Sequence, residues 1–402
     1  MSEKIVIIGA GQAAIQAIMT LRAEGFTGPI TLVGDEAYPP YQRPPLSKAY
    51  LLGSFARERL FLKADNYYPE AGCELLLNTT ARAIHRDVRA VELTDGRRLP
   101  YDKLLLATGA QVRKLACDGA DLPGVHYLKT IADVDGLQAV FQPGRKIAVV
   151  GGGYIGLEVA AVGAKRGLDV TVFEAMDRLM ARAVSPLLSD FYAAEHEKAG
   201  VKLQLKTGVE AIGGDGKVEW VKAGGRTYPA DIVLVGIGVI PRDELARAAG
   251  LAVTDGIVVD RNARTGDPHI WSAGDCTRHV GREGHEIRLE CVQNAIDQAK
   301  HAALAMVGKP RTYAEVPWFW SDQYDLKLQI AGLARPTDTL VQRGDPASRK
   351  FSVFHLRDGK VAAVEAVNAA PDYLIGKKLI AEGKPVDAAR LADTAIAIKT
   401  LA

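Results

Sequence analysis

The sequence predicts an α/β chain of two similar units, one inserted within the other, closed by a smaller α+β domain. Three observations predict it. A glycine-rich stretch, KIVIIGAGQAA (4–14), returns as KIAVVGGGYIG (146–156). An aspartate-led apolar stretch, LPYDKLLLATG (99–109), returns as YPADIVLVGIG (228–238). From about residue 318 the texture turns aromatic and alternating, in PWFWSDQYDLKLQIAGL. The echo is spaced far more widely than a solenoid repeat of roughly 20–50 residues, so it marks domains.

The elements follow in order. IVIIG and IAVVG are short, branched and wholly apolar, as buried parallel strands require. QAAIQAIMTLRAEG and EVAAVGAKRG have helical spacing and end at glycine. PITLVGDE and DVTVFEA supply the next strands. Asp-Gly pairs at 95–96, 215–216, 255–256 and 358–359 sit between apolar runs and predict tight turns. FSVFHLRDGKVAAVEAVNA predicts a two-stranded hairpin, with helical material near the end of the chain. YPPYQRPPLSKAY (38–50) has four prolines and no glycine. It predicts a rigid, extended loop that holds Arg43 and Lys48 still.

A chain of 402 residues exceeds one ordinary core. Its 48% hydrophobic residues argue against disorder. With 50 basic and 48 acidic residues the net charge is +2, which gives no global field for nucleic acid. Cys73, Cys117, Cys276 and Cys291 lie far apart, without CxxC or zinc-like spacing. Neither a disulfide framework nor a metal site is expected, and the usage fits a reducing cytoplasm. The run IVIIGAGQAAIQAIM has no basic n-region beyond Lys4, and Gly9, Gly11, Gln12 and Gln16 interrupt it, unlike a signal peptide. No apolar run approaches the roughly 20 residues that span a bilayer, so no membrane is expected.

Gly9-Ala-Gly11-Gln-Ala-Ala14 is a GxGxx(G/A) fingerprint between a strand and a helix, with Asp35 and Glu36 at the end of the next strand. The first glycine permits the tight turn, the second lets a pyrophosphate approach the backbone, and the third position must stay small. The diphosphate then meets a helix N-terminus. Gly151-Gly-Gly153-Tyr154-Ile155-Gly156 is the second, complete fingerprint, with Glu174 as its acidic partner. A carboxylate there accepts a ribose 2′-OH and repels a 2′-phosphate, favouring NADH over NADPH. Arg182 lies close by; Arg178 reads as a solvated helix charge. Two Rossmann-like units imply two dinucleotides. In TGDPHIWSAGDCTR, Gly274-Asp275 ends an apolar run and places a carboxylate where it can bind a polyol hydroxyl.

The two fingerprints, LLLATGA (104–110), IWSAGDC and PPLSK resemble the two-dinucleotide flavoprotein reductases of glutathione-reductase-like fold. PPLSKAY, GGGYIGLEVA, VGIGVIP and PWFWSDQY closely resemble the FAD- and NADH-dependent ferredoxin reductases of bacterial oxygenase systems, over nearly the whole chain. The resemblance implies an FAD-binding domain at 1–111 and 240–317, an NADH-binding domain at 112–239 and an α+β domain at 318–402 partly covering the flavin. It places FAD on Gly9, Gly11, Ala14, Asp35, Glu36, Ala107, Thr108 and Gly109, with Arg43 at the phosphates and Asp275 at the ribityl chain. Lys48 would lie beside the flavin N5, paired with Glu158; Val292 and Trp320 would pack near the ring. Lys129, where relatives often have arginine, would also contact FAD, and ECVQNA departs from the more familiar ESVPNA. NADH would meet Gly151, Gly153, Tyr154, Ile155, Gly156, Glu174, Arg182 and Gly238, with Glu290 at its carboxamide.

Disulfide reductases of this superfamily need a cysteine pair beside the flavin and a histidine–glutamate pair near the C-terminus. No two cysteines here are close in sequence, and the last histidine, His355, reads as a surface position on a strand. A flavin without such a relay reduces its acceptor directly. The resemblance therefore implies hydride transfer from NADH to FAD, then single electrons to a [2Fe–2S] ferredoxin serving a cytochrome P-450 or Rieske oxygenase. Such ferredoxins are acidic, and Lys309 and Arg311, flanking Pro310, offer a basic rim for docking. A rubredoxin reductase would run the same chemistry with another iron protein. An apoptosis-inducing-factor-like flavoprotein shares PPLSK but acts through interactions, and would carry a targeting leader and a long C-terminal insertion.

Overall fold

The structure is a computed structural model that describes residues 3–401. Contacts divide the chain into two compact units. The first holds the chain up to Gln42, Arg57–Gln111 and Val239–Pro317; the second holds Arg43–Ala56, Val112–Gly238 and the chain from Trp318 on.

In the first unit five parallel strands run in the order Ile270–Ser272, Lys103–Leu106, Ile5–Ile8, Ile30–Val33, Cys73–Leu76. Ile5–Ile8 lies at the centre with all four side chains buried, which is why its sequence is apolar without alternation. Helix Gln12–Ala23 packs beside helix Val292–Met306, where Ala14, Ala17, Ala299 and Ala302 are buried and small enough for close approach. A separate antiparallel sheet, Ala81–His85, Ala90–Leu93 and Arg98–Pro100, turns at the Asp95-Gly96 pair.

The second unit repeats the plan. Its parallel sheet has the order Lys202–Gln204, Asp169–Phe173, Lys146–Val150, Ile232–Val235, Val125–His126. The two sheets are clamped alike. Lys4 N–H donates to the Asp102 carboxylate at 2.7 Å, and Lys146 N–H to Asp231 at 2.8 Å. Gly9 N–H meets Val33 O and Gly151 N–H meets Phe173 O, both at 2.8 Å. The aspartates that lead the echoed stretches thus tie the closing strand of each sheet to its opening one.

The same unit contains a five-stranded antiparallel sheet in the order Trp318–Gln323, Leu326–Gly332, Lys360–Val367, Lys350–Arg357, Thr339–Asp345. The expected hairpin is present and turns at Asp358-Gly359, both at positive φ. Helix Ala370–Glu382 covers one face, with Gly376 so close that a Cβ would come within 2.6 Å of Val364. Phe191, on helix Pro186–Lys198, meets Phe351 edge-on at 4.9 Å and covers the other.

Three local expectations are corrected. Pro45, at φ −68° and ψ −19°, opens a helical turn over Leu46–Tyr50 that is kinked at Lys48, so the proline-rich loop is not extended throughout. Proline's fixed φ suits the start of a helix as well as an extended segment. His355 is buried at 3% exposure, because the sheet is covered on both faces. Arg178 is not a solvated charge: it donates to Val184 O, Ala181 O and Ser189 Oγ at 2.6–2.8 Å. Among the described residues no group of side chains forms a metal site, and no helix is long and apolar enough to cross a membrane.

Candidate functional site

The first cradle is built by helix Gln12–Ala23, which starts at Gly11 with no side-chain cap and no acid in its first turn. A Cβ on Gly11 would meet nothing within 4 Å. The first-turn N–H groups and the positive end of the helix dipole are thus open to a diphosphate, and the residues present fit one. Gly9 stands at φ +105°, and a Cβ there would lie 2.2 Å from Ala107 O. The segment Ala107, Thr108 and Gly109, directly after strand Lys103–Leu106, therefore presses on the turn. Asp35 pairs with Arg242 at 2.7 Å, and Glu36 accepts from Tyr41 OH at 2.5 Å. Arg242 also accepts from Thr108 Oγ1 at 2.6 Å through its carbonyl, and its N–H meets Gly109 O at 2.9 Å. Sequence reasoning missed Arg242, whose only signal is its place directly after VGIGVIP. Asp275 follows Gly274, which is pinned to Gln298 at 2.8 Å. Glu290 is exposed and pairs with Arg288, just before Val292 begins its helix.

The second cradle repeats the first. Gly153 caps helix Tyr154–Lys165 without a side-chain bond and with open space at its Cβ position. Gly151 is again at φ +105°, with Gly236 O 2.5 Å from its would-be Cβ. Gly156 is tighter than its counterpart Ala14, since a Cβ would lie 2.2 Å from Gly151 O. The Glu174 carboxylate accepts from Gly152 N–H and Met176 N–H, each at 2.7 Å. Gly238 has open space beside it, and Arg182 and Ile155 are exposed. Tyr154 packs on Phe319 at 4.5 Å, and burial pushes its phenol well above the ordinary range.

A charged cluster lies in the same unit. Glu158, 3% exposed, accepts from Lys48 Nζ at 2.7 Å, Ser47 Oγ at 2.5 Å and Ser321 Oγ at 2.6 Å. Lys48 Nζ also donates to Pro44 O at 3.1 Å. A buried carboxylate needs this many donors, because desolvation otherwise outweighs the attraction of one ion pair. The structure thus brings Lys48 and Glu158 together. Ser47 and Ser321 were missed, although each lies inside a quoted motif. Arg43 donates to Lys129 O at 2.6 Å, and Tyr50 OH to Asp135 at 2.7 Å, tying the proline-rich loop to the inserted unit. Trp320 is half-buried, 5.5 Å from Trp318.

Residues 3–302 match the family described as pyridine nucleotide-disulphide oxidoreductase, and residues 318–402 the one described as reductase C-terminal. Rhodocoxin reductase of Rhodococcus erythropolis is 46% identical over 399 residues, 98% of this chain and 93% of that protein. The anthranilate 1,2-dioxygenase system ferredoxin–NAD(+) reductase component of Burkholderia cepacia is 42% identical, covering 99% of each chain. The chain belongs to the ferredoxin reductases of the pyridine nucleotide-disulphide oxidoreductase family. A solved putidaredoxin reductase, in covalent complex with putidaredoxin, superposes on this ferredoxin reductase with a TM-score of 0.96. It is 38% identical, and the match covers 99% of this chain and 97% of that one. Membership brings FAD and NAD(H) as cofactors, and the relatives side with a ferredoxin reductase over the rubredoxin and apoptosis-inducing-factor readings.

The disulphide in the family description has no counterpart in this ferredoxin reductase. All four cysteines are free. Burial pushes Cys73 up to about 12 and Cys291 up to about 11, and raises Cys117 and Cys276 as well. The thiolate is the nucleophile in disulfide exchange, and burial disfavours it at each of these four positions. A variant with all four cysteines replaced by alanine is expected to keep NADH-dependent reductase turnover close to the parent's. Loss of turnover with FAD still bound would restore a thiol relay.

Proposed function

We propose that this ferredoxin reductase takes hydride from NADH and delivers electrons singly to a [2Fe–2S] ferredoxin that feeds an oxygenase, in the cytoplasm. The observation that carries the proposal is two uncapped dinucleotide cradles in one chain whose four cysteines are all free, with no disulfide among them. When bound, FAD supplies the conversion of a two-electron donor into single electrons. The chain's own residues bind and orient. Residues 1–111 and 240–317 hold FAD, 112–239 hold NADH, and 318–402 partly cover the flavin. Glu174 selects NADH by accepting the ribose hydroxyl and repelling a 2′-phosphate. Glu158 fixes the Lys48 ammonium, which serves the reactive end of the flavin, while Arg43 serves the phosphates. The names of the relatives, a ferredoxin–NAD(+) reductase component of a dioxygenase system and a reductase in covalent complex with putidaredoxin, support the acceptor class.

The test is NADH-driven reduction of cytochrome c with and without a purified [2Fe–2S] ferredoxin. Strong dependence on the ferredoxin is expected, and none at all would remove it as the acceptor. Docking is proposed at Arg311 and Lys309. The Lys309 ammonium lies 2.8 Å from Glu24 and holds that carboxyl below its ordinary range, so exposed Arg311 carries more of the rim's positive field. Arg311→Glu should slow ferredoxin reduction about tenfold at low salt and leave ferricyanide reduction intact. Equal loss of both activities would discard the docking site.

A further inference from the structure

We propose that Glu365, in the C-terminal antiparallel sheet, is a positioning residue for the nicotinamide dinucleotide, acting through Ser185. The inference rests on the reading above that Glu174 and Arg182 face that nucleotide. Glu365 lies within strand Lys360–Val367 and is 1% exposed. A carboxylate in a sheet interior is costly unless donors surround it. Ser185 gives it two: its N–H at 2.8 Å and its hydroxyl at 2.6 Å. His355 Nε2 lies 3.2 Å away, without hydrogen-bond alignment. None of these residues belongs to a cradle or to the Lys48–Glu158 cluster.

Ser185 is also the cap of helix Pro186–Lys198, accepting Leu188 N–H at 3.4 Å. Glu365 therefore fixes the point where the segment 174–185 ends. The segment begins at Glu174, whose carboxylate holds Gly152 N–H. Midway, Met180 N–H returns to Gly152 O at 2.9 Å. Arg178 then folds the remainder onto the helix by bonding Ala181 O, Val184 O and Ser189 Oγ. Arg182 is exposed on this stretch. The segment is thus tethered to the fingerprint glycine at one end and in the middle, and to the C-terminal sheet at the other. All of these links lie inside one compact unit. The consequence is that the C-terminal domain sets how firmly the inserted domain presents Glu174 and Arg182 to a nucleotide.

The test measures NAD+ binding to the FAD-loaded protein by calorimetry, with NADP+ as the comparison ligand. Glu365→Ala is expected to weaken NAD+ about tenfold and narrow the preference over NADP+, with FAD retention unchanged. Glu365→Gln keeps an acceptor for Ser185 and should recover most of that affinity. Ser185→Ala removes only the hydroxyl; it should weaken NAD+ about threefold, and it decides the matter should Glu365→Ala not fold. Glu174→Ala, run in parallel, tests the underlying reading by its loss of nucleotide preference. If Glu174→Ala loses that preference while the Glu365 and Ser185 variants bind NAD+ like the parent, the positioning role is overturned and the reading stands. A lowered Tm with unchanged Kd overturns it equally, since that combination marks a merely structural role. If Glu174→Ala leaves the preference unmoved, the reading falls and the inference with it.

Discussion

Replacing Lys48 by alanine is expected to slow NADH-driven reduction of the flavin about tenfold or more, with FAD still bound. The effect is positional. The Lys48 ammonium sits between Glu158 at 2.7 Å and Pro44 O at 3.1 Å. Glu158 is itself fixed by Ser47 and Ser321, so the charge is placed by three different segments of the unit. Preorganised charge contributes most where it need not reorganise during reaction. Glu158→Gln should act in the same direction, because it keeps the size of the side chain but leaves the ammonium without its counter-charge. Breaking a buried pair from one side also costs stability, about 3 kcal/mol when burial is complete and less for Lys48, whose side chain is 18% exposed. Stopped-flow flavin absorbance reads the rate, and released FAD reads the binding. Unchanged hydride-transfer kinetics in Lys48→Ala would remove the pair from the mechanism.

The second large effect belongs to the cradles. Gly9→Ala should yield protein that retains no FAD. The new Cβ would lie 2.2 Å from Ala107 O, on a backbone at φ +105° that L-residues rarely adopt. Such a conformation costs ~1–3 kcal/mol before the clash with main-chain oxygen is counted. Gly151→Ala repeats the collision in the inserted sheet, against Gly236 O at 2.5 Å. Gly11→Ala and Gly153→Ala behave differently, since both Cβ positions open onto free space. Their folds should persist while a methyl group occupies ground meant for a pyrophosphate. Gly153→Ala is expected to keep FAD and to raise KM for NADH about tenfold. Far-ultraviolet circular dichroism and flavin content separate the two kinds of glycine. A Gly9→Ala protein with full flavin content would falsify the close packing of this turn as the reason for glycine.

Much of this was legible because dinucleotide cradles are local. Strand, glycine turn and the opening of the uncapped helix lie within residues 4–14, and the echo at 146–156 doubled the signal. The pairing of Lys48 with Glu158 came through the family resemblance, since spacing alone does not join positions so far apart. What escaped reading depends on how the chain folds back on itself, near or far in sequence. His355 alternates like a surface residue within its own hairpin, but a helix begun at Pro186 covers that face. Arg178 reads as a solvated charge until the chain folds back and offers it Val184 O and Ser189 Oγ. The proline-rich loop misled for a different reason: the same fixed φ serves an extended segment and a first helical turn.

The nesting of the two parallel sheets also orders events during synthesis. Every strand of the inner sheet lies between Val125 and Val235, so that sheet is complete in sequence before Ile270–Ser272 emerges. Until then the outer sheet lacks the partner of Lys103–Leu106, and a largely apolar edge stands open. The nascent chain thus passes through an interval in which its first-made half is the unfinished one. That interval is where a folding chain is most exposed to mispairing, and where chaperones would be needed most.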